Sequence, residues 1–441
     1  MTLHPSPQTI GSATENWLEL DKAHIWHPYT QMQTAADPQL IVRGKGASLF
    51  DHQDNEYIDA ISSWWVSIHG HSHPHIAHKV YEQMLQLEHV IFAGYTHPAA
   101  IELAQRLMKH LPSEQSHMFF SDNGSTAVEV GIKMAIQYFY NRGERRTKIL
   151  AFDQAYHGDT FGAMAAGGAS VFNAPFAEML FEVTHLPVPV AGEEERVMEL
   201  LQKELAGGDV CCFIFEPLVL GAGGMIMYSE EVLDRMIAAC KEAGAICIAD
   251  EVMTGFGRTG RFFASDYLTH QPDILCLSKG LTGGSLPMSL TTCSLRIYEA
   301  FLSNDAAKTF FHGHSFTGNP VGCAAALASL DLLENPDCWD KIEAVVESHK
   351  VFADDIRQHP AVGQVRQRGT ILAMELVSGE TTGYLNEVRV FLKKFFREKN
   401  VILRPLGNVL YIMPPYVIQT AQLQQVYDAI REALDEMPNV S

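Results

Sequence analysis

The sequence has few basic residues, no C-x-x-C cysteine pair and no long apolar run. It contains 32 Lys and Arg against 52 Asp and Glu, and this formal net charge of −20 argues against a general binder of nucleic acid or anionic membranes. The eight cysteines are scattered along the chain, which indicates reduced, buried thiols and argues against a disulfide framework or a zinc site.

Targeting features are missing as well. Residues 1–15 are polar and lack a basic region followed by an apolar core, so they do not resemble a signal peptide. No apolar run approaches the roughly 20 residues that cross a bilayer. We therefore expect a cytoplasmic protein that has neither nucleic acid nor a membrane as partner.

The composition that remains is typical of a globular protein. The chain has 441 residues, of which 47% are hydrophobic and 19% charged, and this length predicts one large and one small domain. From about Ile76 onward, short apolar strands alternate with amphipathic helices. This alternation predicts an α/β fold with a mainly parallel sheet that is covered on both faces. The predicted strands are 117–120, 148–152, 210–216, 245–250 and 274–277; the predicted helices are 99–110, 125–141 and 230–243.

The two ends of the chain have a different pattern. After about residue 344, strands at 370–377, 401–405 and 409–413 precede a closing helix at 420–436. Residues 40–43, 48–51 and 57–59 are strand-like, whereas about the first 20 residues are expected to be flexible. We expect a small α+β domain built from both chain ends, with boundaries at 1–62, 63–343 and 344–441.

Lys279 is the most informative residue of the sequence. It lies between the apolar run 274–277 and a glycine-rich turn, where its ammonium has no evident route to water. A desolvated lysine has a lowered pKa and reacts with carbonyl groups. Asp250 ends another apolar strand, and a lysine with an aspartate is the pair that pyridoxal phosphate (PLP) requires. The plain alternative is a surface lysine after a core strand.

Residues 121–127 join a strand to a helix and suit a phosphate group. Gly124 allows close approach, Ser125 supplies a hydroxyl, and the first backbone N–H groups of the helix point at an anion. The alternative is that Ser125 simply caps the helix. The position after the first strand of an α/β sheet favours the phosphate site.

Two further loops follow strands of the same sheet. Tyr156 or His157 follows the strand 148–152, and either aromatic side chain could stack on a flat cofactor ring. Glu216 ends the next strand, so its carboxylate is expected near the same edge.

Two patterns resemble sites that we do not expect. Residues 255–260 match G-x-G-x-x-G, but Asp250 and Glu251 at the preceding strand end would repel a pyrophosphate. Four alternating histidines suggest a metal site, yet no acidic or cysteine partners lie nearby, so a loop of hydrogen-bonded histidines is expected. These histidines are His69, His71, His73 and His75.

Taken together, the motifs resemble the class III aminotransferases of PLP fold type I over nearly the whole chain. The decisive segments are 250–260, which contains Asp250, and 278–280, which contains Lys279. Segments 26–32, 62–65, 156–162 and 404–416 further resemble the members that aminate 8-amino-7-oxononanoate in biotin synthesis. Those members usually take the amino group from S-adenosylmethionine, and some take it from lysine.

The resemblance implies a role for each matching residue. Lys279 would bind the cofactor aldehyde and move protons, Asp250 would bind the pyridine nitrogen, and Tyr156 would stack on the ring. Gly124 and Ser125 would bind the phosphate, together with His314 and Ser315 from the neighbouring subunit of a homodimer. Relatives commonly have Pro-Thr at these last two positions. The substrate-binding set would be Tyr29, Trp64, Trp65, Tyr156, Lys279, Gly313 and Arg404, with Arg404 facing a carboxylate and no metal involved.

Other functions remain open at this stage. Another class III aminotransferase of ω-amino acids or diamines, or a related aminomutase, has the same core motifs, although Tyr29 and the two tryptophans disfavour it. A catalytically silent protein of this fold is disfavoured by the presence of Lys279 and Asp250. The sequence assigns no role to Arg258.

Overall fold

A seven-stranded sheet forms the centre of the protein. The structure is a computed structural model that describes residues 14–377 and 387–437, without the side chains of residues 14–16 and 387. The strands are Ile41–Lys45 (β1), Ser48–Asp51 (β2), Glu56–Asp59 (β3), Gln115–Ser121 (β4), Lys148–Phe152 (β5), Thr184–Leu186 (β6), Val210–Phe215 (β7), Val219–Leu220 (β8), Ile226–Met227 (β9), Ile246–Asp250 (β10), Ile274–Leu277 (β11), Ser289–Ser294 (β12), Val362–Arg368 (β13), Ile371–Leu376 (β14), Val401–Ile402 (β15) and Val409–Ile412 (β16).

Helices cover both faces of this sheet and complete the chain ends. They are Thr14–His24 (α1), Ser62–Trp65 (α2), Pro74–Gln86 (α3), Pro98–Leu107 (α4), Gly124–Asn141 (α5), Phe161–Ala166 (α6), Glu194–Leu205 (α7), Glu230–Glu242 (α8), Leu295–Glu299 (α9), Pro320–Leu333 (α10), Pro336–Ile356 (α11), Glu387–Glu398 (α12) and Thr420–Glu436 (α13). No helix in the two described ranges is long and apolar enough to cross a membrane.

The order of strands in the large sheet is β4-β12-β11-β10-β7-β5-β6. The pairs from β11 to β6 are parallel, while β12 runs antiparallel to both of its neighbours. The prediction of a mainly parallel α/β sheet is therefore confirmed. Because β4, β5, β7, β10 and β11 run in the same direction, their carboxyl ends meet at one edge, where ligands of such folds bind.

Helix α5 packs closely on the buried strands. Gly131 faces them, and a Cβ atom at this position would lie 3.3 Å from the Cys276 sulfur and 3.4 Å from side-chain carbons of Ile248 and Ile274. Strands β10 and β11 are fully buried, as expected for strands covered on both faces. This packing fixes the N-terminus of α5 against the same edge of the sheet.

Strands from the two chain ends pair with each other. β15 runs parallel to β3 and extends the sheet β1-β2-β3, while β13, β14 and β16 form a separate antiparallel sheet. Ser62 donates a hydrogen bond to the carbonyl oxygen of Met413 at 2.9 Å. The predicted mixing of N-terminal and C-terminal strands agrees with this pairing, whereas the domain boundaries at 62 and 343 stay a prediction.

The predicted elements agree with the observed ones to within a few residues at their ends. The expectation of a flexible first 20 residues is wrong from Thr14 onward, where α1 begins; residues 1–13 lie outside the described ranges. The sequence analysis also missed β12. Its alternation of Ser and Thr with apolar residues looks like a surface segment, yet all six residues are buried between β11 and β4.

Candidate active site

A cavity of about 420 Å³ lies at the carboxyl edge of the large sheet. Residues at the carboxyl ends of five strands line it: Asn123 follows β4, Tyr156 follows β5, Glu216 follows β7, Asp250 ends β10, and Lys279 follows β11. The structure thus brings together the residues that the sequence pattern placed at this edge.

The N-terminus of α5 forms one end of the cavity. Asn123 caps the helix: its side chain accepts a hydrogen bond from the backbone N–H of Thr126 at 3.1 Å. Ser125 is therefore not the capping residue, and its hydroxyl accepts a hydrogen bond from the backbone of Asp159 at 3.3 Å. A Cβ atom at Gly124 would lie 2.9 Å from Val252, so the absence of a side chain there keeps the backbone close to β10.

Asp250 is held at the bottom of the cavity by two hydrogen bonds. Its carboxylate lies 2.8 Å from Nδ1 of His157 and accepts a bond from the backbone of Val252 at 3.1 Å. Both side chains are buried, and the opposite ring nitrogen of His157 has no partner among the described residues. The carboxylate is consequently fixed in orientation before any ligand arrives.

Lys279 projects into the same cavity from the turn after β11. Its backbone adopts a left-handed conformation with φ of 47°, and its ammonium lies 4.9 Å from the ring centre of Trp65. Burial lowers the pKa of Lys279, and the nearby carboxylates of Asp250 and Glu216 partly oppose this effect. The depressed pKa expected from the sequence is thus reproduced by the geometry.

Glu216 connects two loops of the site. Its carboxylate accepts hydrogen bonds from the backbone N–H groups of Tyr156 at 3.0 Å and Gly221 at 2.9 Å. Burial raises the pKa of Glu216 to about 7; His157 opposes this rise and Asp250 adds to it. The expectation that Glu216 lies at this edge is confirmed, but its contact with the backbone of Tyr156 could not be read from the sequence.

Tyr29, Trp64 and Arg404 meet beside the cavity, although they come from opposite ends of the chain. The guanidinium carbon of Arg404 lies 4.3 Å from the ring centre of Trp64 and 5.9 Å from that of Tyr29. The hydroxyl of Tyr29 lies 3.1 Å from that of Tyr156 and donates a hydrogen bond to Asp159. Burial, together with Tyr29 and Asp159, raises the pKa of Tyr156, which keeps its phenol protonated.

Backbone strain accompanies this arrangement. Tyr29, Trp64 and Trp65 have φ values of 52°, 75° and 76°, a region that bulky residues rarely adopt. The indole N–H of Trp65 donates to the hydroxyl of Tyr411 at 3.0 Å. Strain of this kind persists only where the surroundings enforce it, and it concentrates at functional sites.

Arg258 supports the tryptophan segment from behind. Its buried guanidinium donates to the carbonyl oxygens of Pro414 at 2.7 Å and Trp65 at 3.1 Å and lies 5.1 Å from the ring of Tyr416. The neighbouring Glu251 is buried as well and accepts hydrogen bonds from the 254–265 loop. The glycine pattern 255–260 is therefore a packed turn.

The histidine segment 69–75 also has an ordinary structural explanation. His69 lies 3.1 Å from the Ser329 hydroxyl, His71 lies 2.8 Å from Asp59, and His75 lies 2.7 Å from Asp331. Three of the four histidines thus have separate partners, as expected.

Gly313, His314 and Ser315 do not line the cavity of their own chain. Gly313 and Ser315 are exposed, and Nδ1 of His314 lies 4.0 Å from the carboxylate of Asp122. The second nitrogen of His314 lies 3.3 Å from the ring of His312. Their predicted contribution to a phosphate site needs a second chain and stays a prediction.

Comparison with known proteins identifies the family. The model of the family "Aminotransferase class-III" matches residues 30–434. The chain belongs to the class-III aminotransferases. These enzymes use PLP, and the chain is accordingly a PLP-dependent aminotransferase.

Individual class-III aminotransferases match almost end to end. The chain is 48% identical to the adenosylmethionine-8-amino-7-oxononanoate aminotransferase of Synechococcus elongatus over 94% of this chain and 99% of the relative. The crystal structure of the enzyme of that name from Methanocaldococcus jannaschii superimposes with a TM-score of 0.91 at 36% identity and covers 96% of this chain and 99% of its own. An omega transaminase from Pseudomonas jessenii, solved with PMP, has a TM-score of 0.88 at 28% identity, with 95% and 97% coverage.

Three residues of the candidate site were missed or left undecided by the sequence analysis. His157 was considered only for stacking, and its bond to Asp250 was not foreseen. Asp159 and Phe172 were not assigned, although Phe172 lies 5.6 Å from the ring of Tyr29. The motif 156–162 signalled Asp159, whereas no sequence signal distinguishes Phe172 from a core aromatic.

Proposed function

We propose that the protein transfers an amino group to 8-amino-7-oxononanoate and so forms 7,8-diaminononanoate, with S-adenosylmethionine as donor, in biotin synthesis. The single observation that carries the choice within the family is the convergence of Arg404, Trp64 and Tyr29 beside the lysine cavity. A guanidinium next to two aromatic rings suits a substrate with one carboxylate and a long apolar chain. The names of the matching relatives from Synechococcus elongatus and Methanocaldococcus jannaschii support this choice.

The shape and chemistry of the cavity fit PLP. The backbone around Gly124 and Ser125 at the α5 N-terminus would bind the phosphate, because its N–H groups and the helix dipole attract an anion. Asp250 would pair with the pyridine nitrogen, and His157 would fix the orientation of that carboxylate. When bound, PLP supplies an electron sink for the bonds around the reacting carbon.

Lys279 would act as both the covalent anchor and the proton carrier. Its lowered pKa leaves a larger share of neutral amine, which accepts a proton from the reacting carbon of the substrate. Tyr156 would lie against the cofactor ring and border the substrate. Glu216 would keep the Tyr156 loop in place through the two backbone hydrogen bonds described above.

Arg404 would bind the carboxylate of each substrate in turn. Both S-adenosylmethionine and 8-amino-7-oxononanoate carry one carboxylate, and a guanidinium binds it through two parallel hydrogen bonds. Tyr29, Trp64 and Trp65 would cover the aliphatic chain, and Gly313 would approach it from the neighbouring subunit.

The enzyme would work as a homodimer with composite active sites. Ser315 is exposed in the single chain, and the surface around it includes the exposed aromatic residues Phe311 and Phe316, with 73% and 60% of their surface accessible. A second copy would cover this apolar surface and bring Gly313, His314 and Ser315 to the partner's cofactor. Ser315 would supply the phosphate-binding hydroxyl that threonine provides in relatives.

The proposed location is the cytoplasm. All eight cysteines of the chain are buried and none is in a disulfide, an arrangement typical of a reducing compartment.

A donor and acceptor panel tests the proposed function. Purified holoenzyme is mixed with one amine at a time, and loss of the visible absorbance of the lysine-bound cofactor reports the first half-reaction. We expect S-adenosylmethionine to react and 8-amino-7-oxononanoate to restore the band. Reaction with lysine and none with S-adenosylmethionine would identify lysine as the donor and leave the proposed acceptor unchanged. Reaction with ω-amino acids or diamines, and none with the oxononanoate, would identify a different class-III aminotransferase.

A further inference from the structure

A short hairpin lies beside the lysine cavity. Its strands β8 and β9 pair antiparallel, and residues 221–225 join them as a turn that we call the hairpin tip. The backbone N–H groups of Gly224 and Met225 both donate to the carbonyl oxygen of Gly221, at 3.3 Å and 3.1 Å, and so close the tip. Met225 is fully buried with φ of 53°, a left-handed conformation that a non-glycine residue keeps only where its surroundings enforce it.

The hairpin tip packs against two elements of the candidate site. Gly221 lies against Trp65, because a Cβ atom at Gly221 would be 3.2 Å from the indole ring. Gly223 lies against the loop that carries Tyr156, because a Cβ atom at Gly223 would be 2.4 Å from the carbonyl oxygen of Gln154. Neither contact leaves room for a side chain, so the position of the tip and the positions of these two elements depend on one another.

Glu216 holds the inner side of the hairpin tip. One oxygen of its carboxylate accepts a hydrogen bond from the backbone N–H of Gly221 at 2.9 Å, and the other accepts one from that of Tyr156 at 3.0 Å. The carboxylate is buried, so water does not compete strongly for either bond. Glu216 therefore bridges the tip to the residue that is proposed to lie against the cofactor ring.

Arg366 holds the outer side of the hairpin tip from a different sheet. This residue lies in β13, and one nitrogen of its guanidinium donates to the carbonyl oxygen of Gly224 at 2.9 Å. A second nitrogen donates to the carboxylate of Glu375 on β14 at 2.9 Å and to the side chain of Gln364, and only 11% of the Arg366 side chain is exposed. Because the guanidinium is planar and rigid, the ion pair with Glu375 fixes the direction in which the other nitrogen donates.

These contacts form one continuous path of hydrogen bonds. The path begins at Arg366 and the carbonyl oxygen of Gly224, and it continues through the closed tip to Gly221. The carboxylate of Glu216 then links Gly221 to Tyr156. The sheet β13-β14-β16 is thereby connected to the carboxyl edge of the large sheet.

We infer that Arg366 is a positioning residue of the aminotransferase site and keeps Tyr156 in place from outside the lysine cavity. Its effect on the reaction passes through the hairpin tip and Glu216. Loss of the bond to Gly224 frees the outer side of the tip, and the Tyr156 loop then loses part of its support. The inference rests on the proposed position of Tyr156 against the cofactor ring, whereas it does not depend on which amino donor or acceptor the enzyme uses.

Hydrogen exchange in the cofactor-free protein tests the path itself. A methionine at position 366 fills similar space without the donors, and we expect Arg366→Met to speed amide exchange in peptides that cover 154–158 and 221–225. The matched control is Arg368→Met, because Arg368 lies in the same strand and its guanidinium pairs with Glu230 at the start of α8 instead of the tip. The control should exchange like the parent at 154–158. Parent-like exchange of Arg366→Met in this segment, or an equal rise in both variants, would overturn the inference.

Visible circular dichroism of the holoenzyme tests the effect on the cofactor. Tyr156→Ala first establishes how the signal per bound cofactor changes when the side chain of Tyr156 is lost. Arg366→Met should shift this signal in the same direction and lower kcat about tenfold, which is less than the roughly hundredfold loss that a misplacement of about 1 Å can cause. Arg368→Met should keep both quantities near those of the parent. A parent-like signal and kcat in Arg366→Met would contradict the role of Arg366.

A second variant keeps the test decisive where the methionine variant does not fold. In Arg366→Lys the ammonium can still pair with Glu375, but it cannot reproduce the fork that also reaches the Gly224 carbonyl, so we expect the same changes at a smaller size. Parent-like exchange at 154–158 in folded Arg366→Lys would then overturn the inference. If instead Tyr156→Ala leaves the visible signal unchanged, the proposed position of Tyr156 is contradicted, and the exchange data alone decide whether Arg366 supports its loop.

Discussion

The imidazole Nδ1 of His157 lies 2.8 Å from the carboxylate of Asp250, and both groups are buried. Because a carboxylate in this position cannot rotate freely, the aspartate presents a fixed oxygen to the cavity. The pair therefore links the loop after β5 to the end of β10, two strands that the chain forms about a hundred residues apart.

Lys279→Ala should still bind PLP through the phosphate site but complete no turnovers. In the proposed site the same amine anchors the cofactor and carries the proton, so no other group would replace it. Cofactor content after gel filtration and a multiple-turnover assay check the two halves of this prediction. Sustained turnover by the variant would refute the assignment of Lys279.

The Asp250→Asn variant should fold normally. Its transamination rate should be lower than that of the parent by orders of magnitude, because an amide cannot stabilise a charged pyridine nitrogen. The asparagine side chain still reaches His157 and Val252, which makes the variant a conservative test of charge. Circular dichroism and single-turnover rates provide the measurement. If activity stays within a few-fold of the parent, the role of Asp250 is structural.

Glu216→Gln should change how stability depends on pH. Burial raises the pKa of Glu216 to about 7 in the folded protein, while the unfolded carboxyl titrates near its ordinary value of 4.5. Between these values the unfolded chain binds fewer protons, so this carboxyl lowers the free energy of unfolding as the pH rises. Relative to the parent, the cofactor-free variant should gain up to about 3 kcal/mol of stability between acidic and neutral pH. This gain is superimposed on a pH-independent loss, because the Gln amide nitrogen cannot accept the second of the two backbone hydrogen bonds.

Chemical denaturation of the two proteins near pH 5 and near pH 8 measures this difference, with Glu199→Gln, an exposed position in α7, as control. A stability difference that does not vary with pH would mean that the Glu216 carboxyl does not change protonation on unfolding.

The Arg404→Ala variant should bind each substrate more weakly by about 1.5–3 kcal/mol, the contribution of a hydrogen bond to a charged group. Arg404→Lys should recover only part of this loss, because an ammonium cannot form the two parallel bonds. Trp64→Ala should affect the two substrates unequally, since their apolar parts differ. Half-reactions measured separately under single-turnover conditions test these statements. Unchanged affinities in Arg404→Ala would place the carboxylate site elsewhere.

Mixed dimers test the composite active site. We expect Lys279→Ala and Ser315→Glu chains to be inactive alone, the second because a carboxylate repels the phosphate of the partner's cofactor. After subunit exchange, one site of each mixed dimer regains both an intact lysine and an intact Ser315, so activity should return. Inactive mixtures would contradict a shared site. So would full activity of a protein that light scattering shows to be a monomer.

Much of the fold follows from local sequence patterns, and the exceptions have physical reasons. The apolar runs of β5 and β11 predict both strands to their ends, because each is buried on both faces. β12 was missed because Ser289, Thr291 and Thr292 look polar, yet each hydroxyl donates a hydrogen bond to an oxygen of another element. A strand whose polar groups are satisfied by tertiary contacts has no periodic signal of its own.

The candidate site was predictable where a residue follows a strand. Lys279, Asp250, Tyr156 and Gly124 have fixed positions relative to β11, β10, β5 and β4, so the sheet topology alone assembles them. The group formed by Tyr29, Trp64 and Arg404 was predicted only from the family resemblance, because the contact of Arg404 with Trp64 depends on how the two chain ends pack.

The pairing of β15 with β3 has a consequence for biosynthesis. On the ribosome, β3 emerges more than 300 residues before β15, so its outer edge has no strand partner until Val401 and Ile402 have been translated. The contact is among the most distant in sequence, and distant contacts form slowly. The large sheet can assemble first, whereas Tyr29, Trp64 and Arg404 meet only after the last strands arrive. A chain cut short before Arg404 would contain Lys279 and the Gly124 loop without the group formed by Tyr29, Trp64 and Arg404. The residues proposed to bind the substrates therefore come together only after residue 404 has been translated.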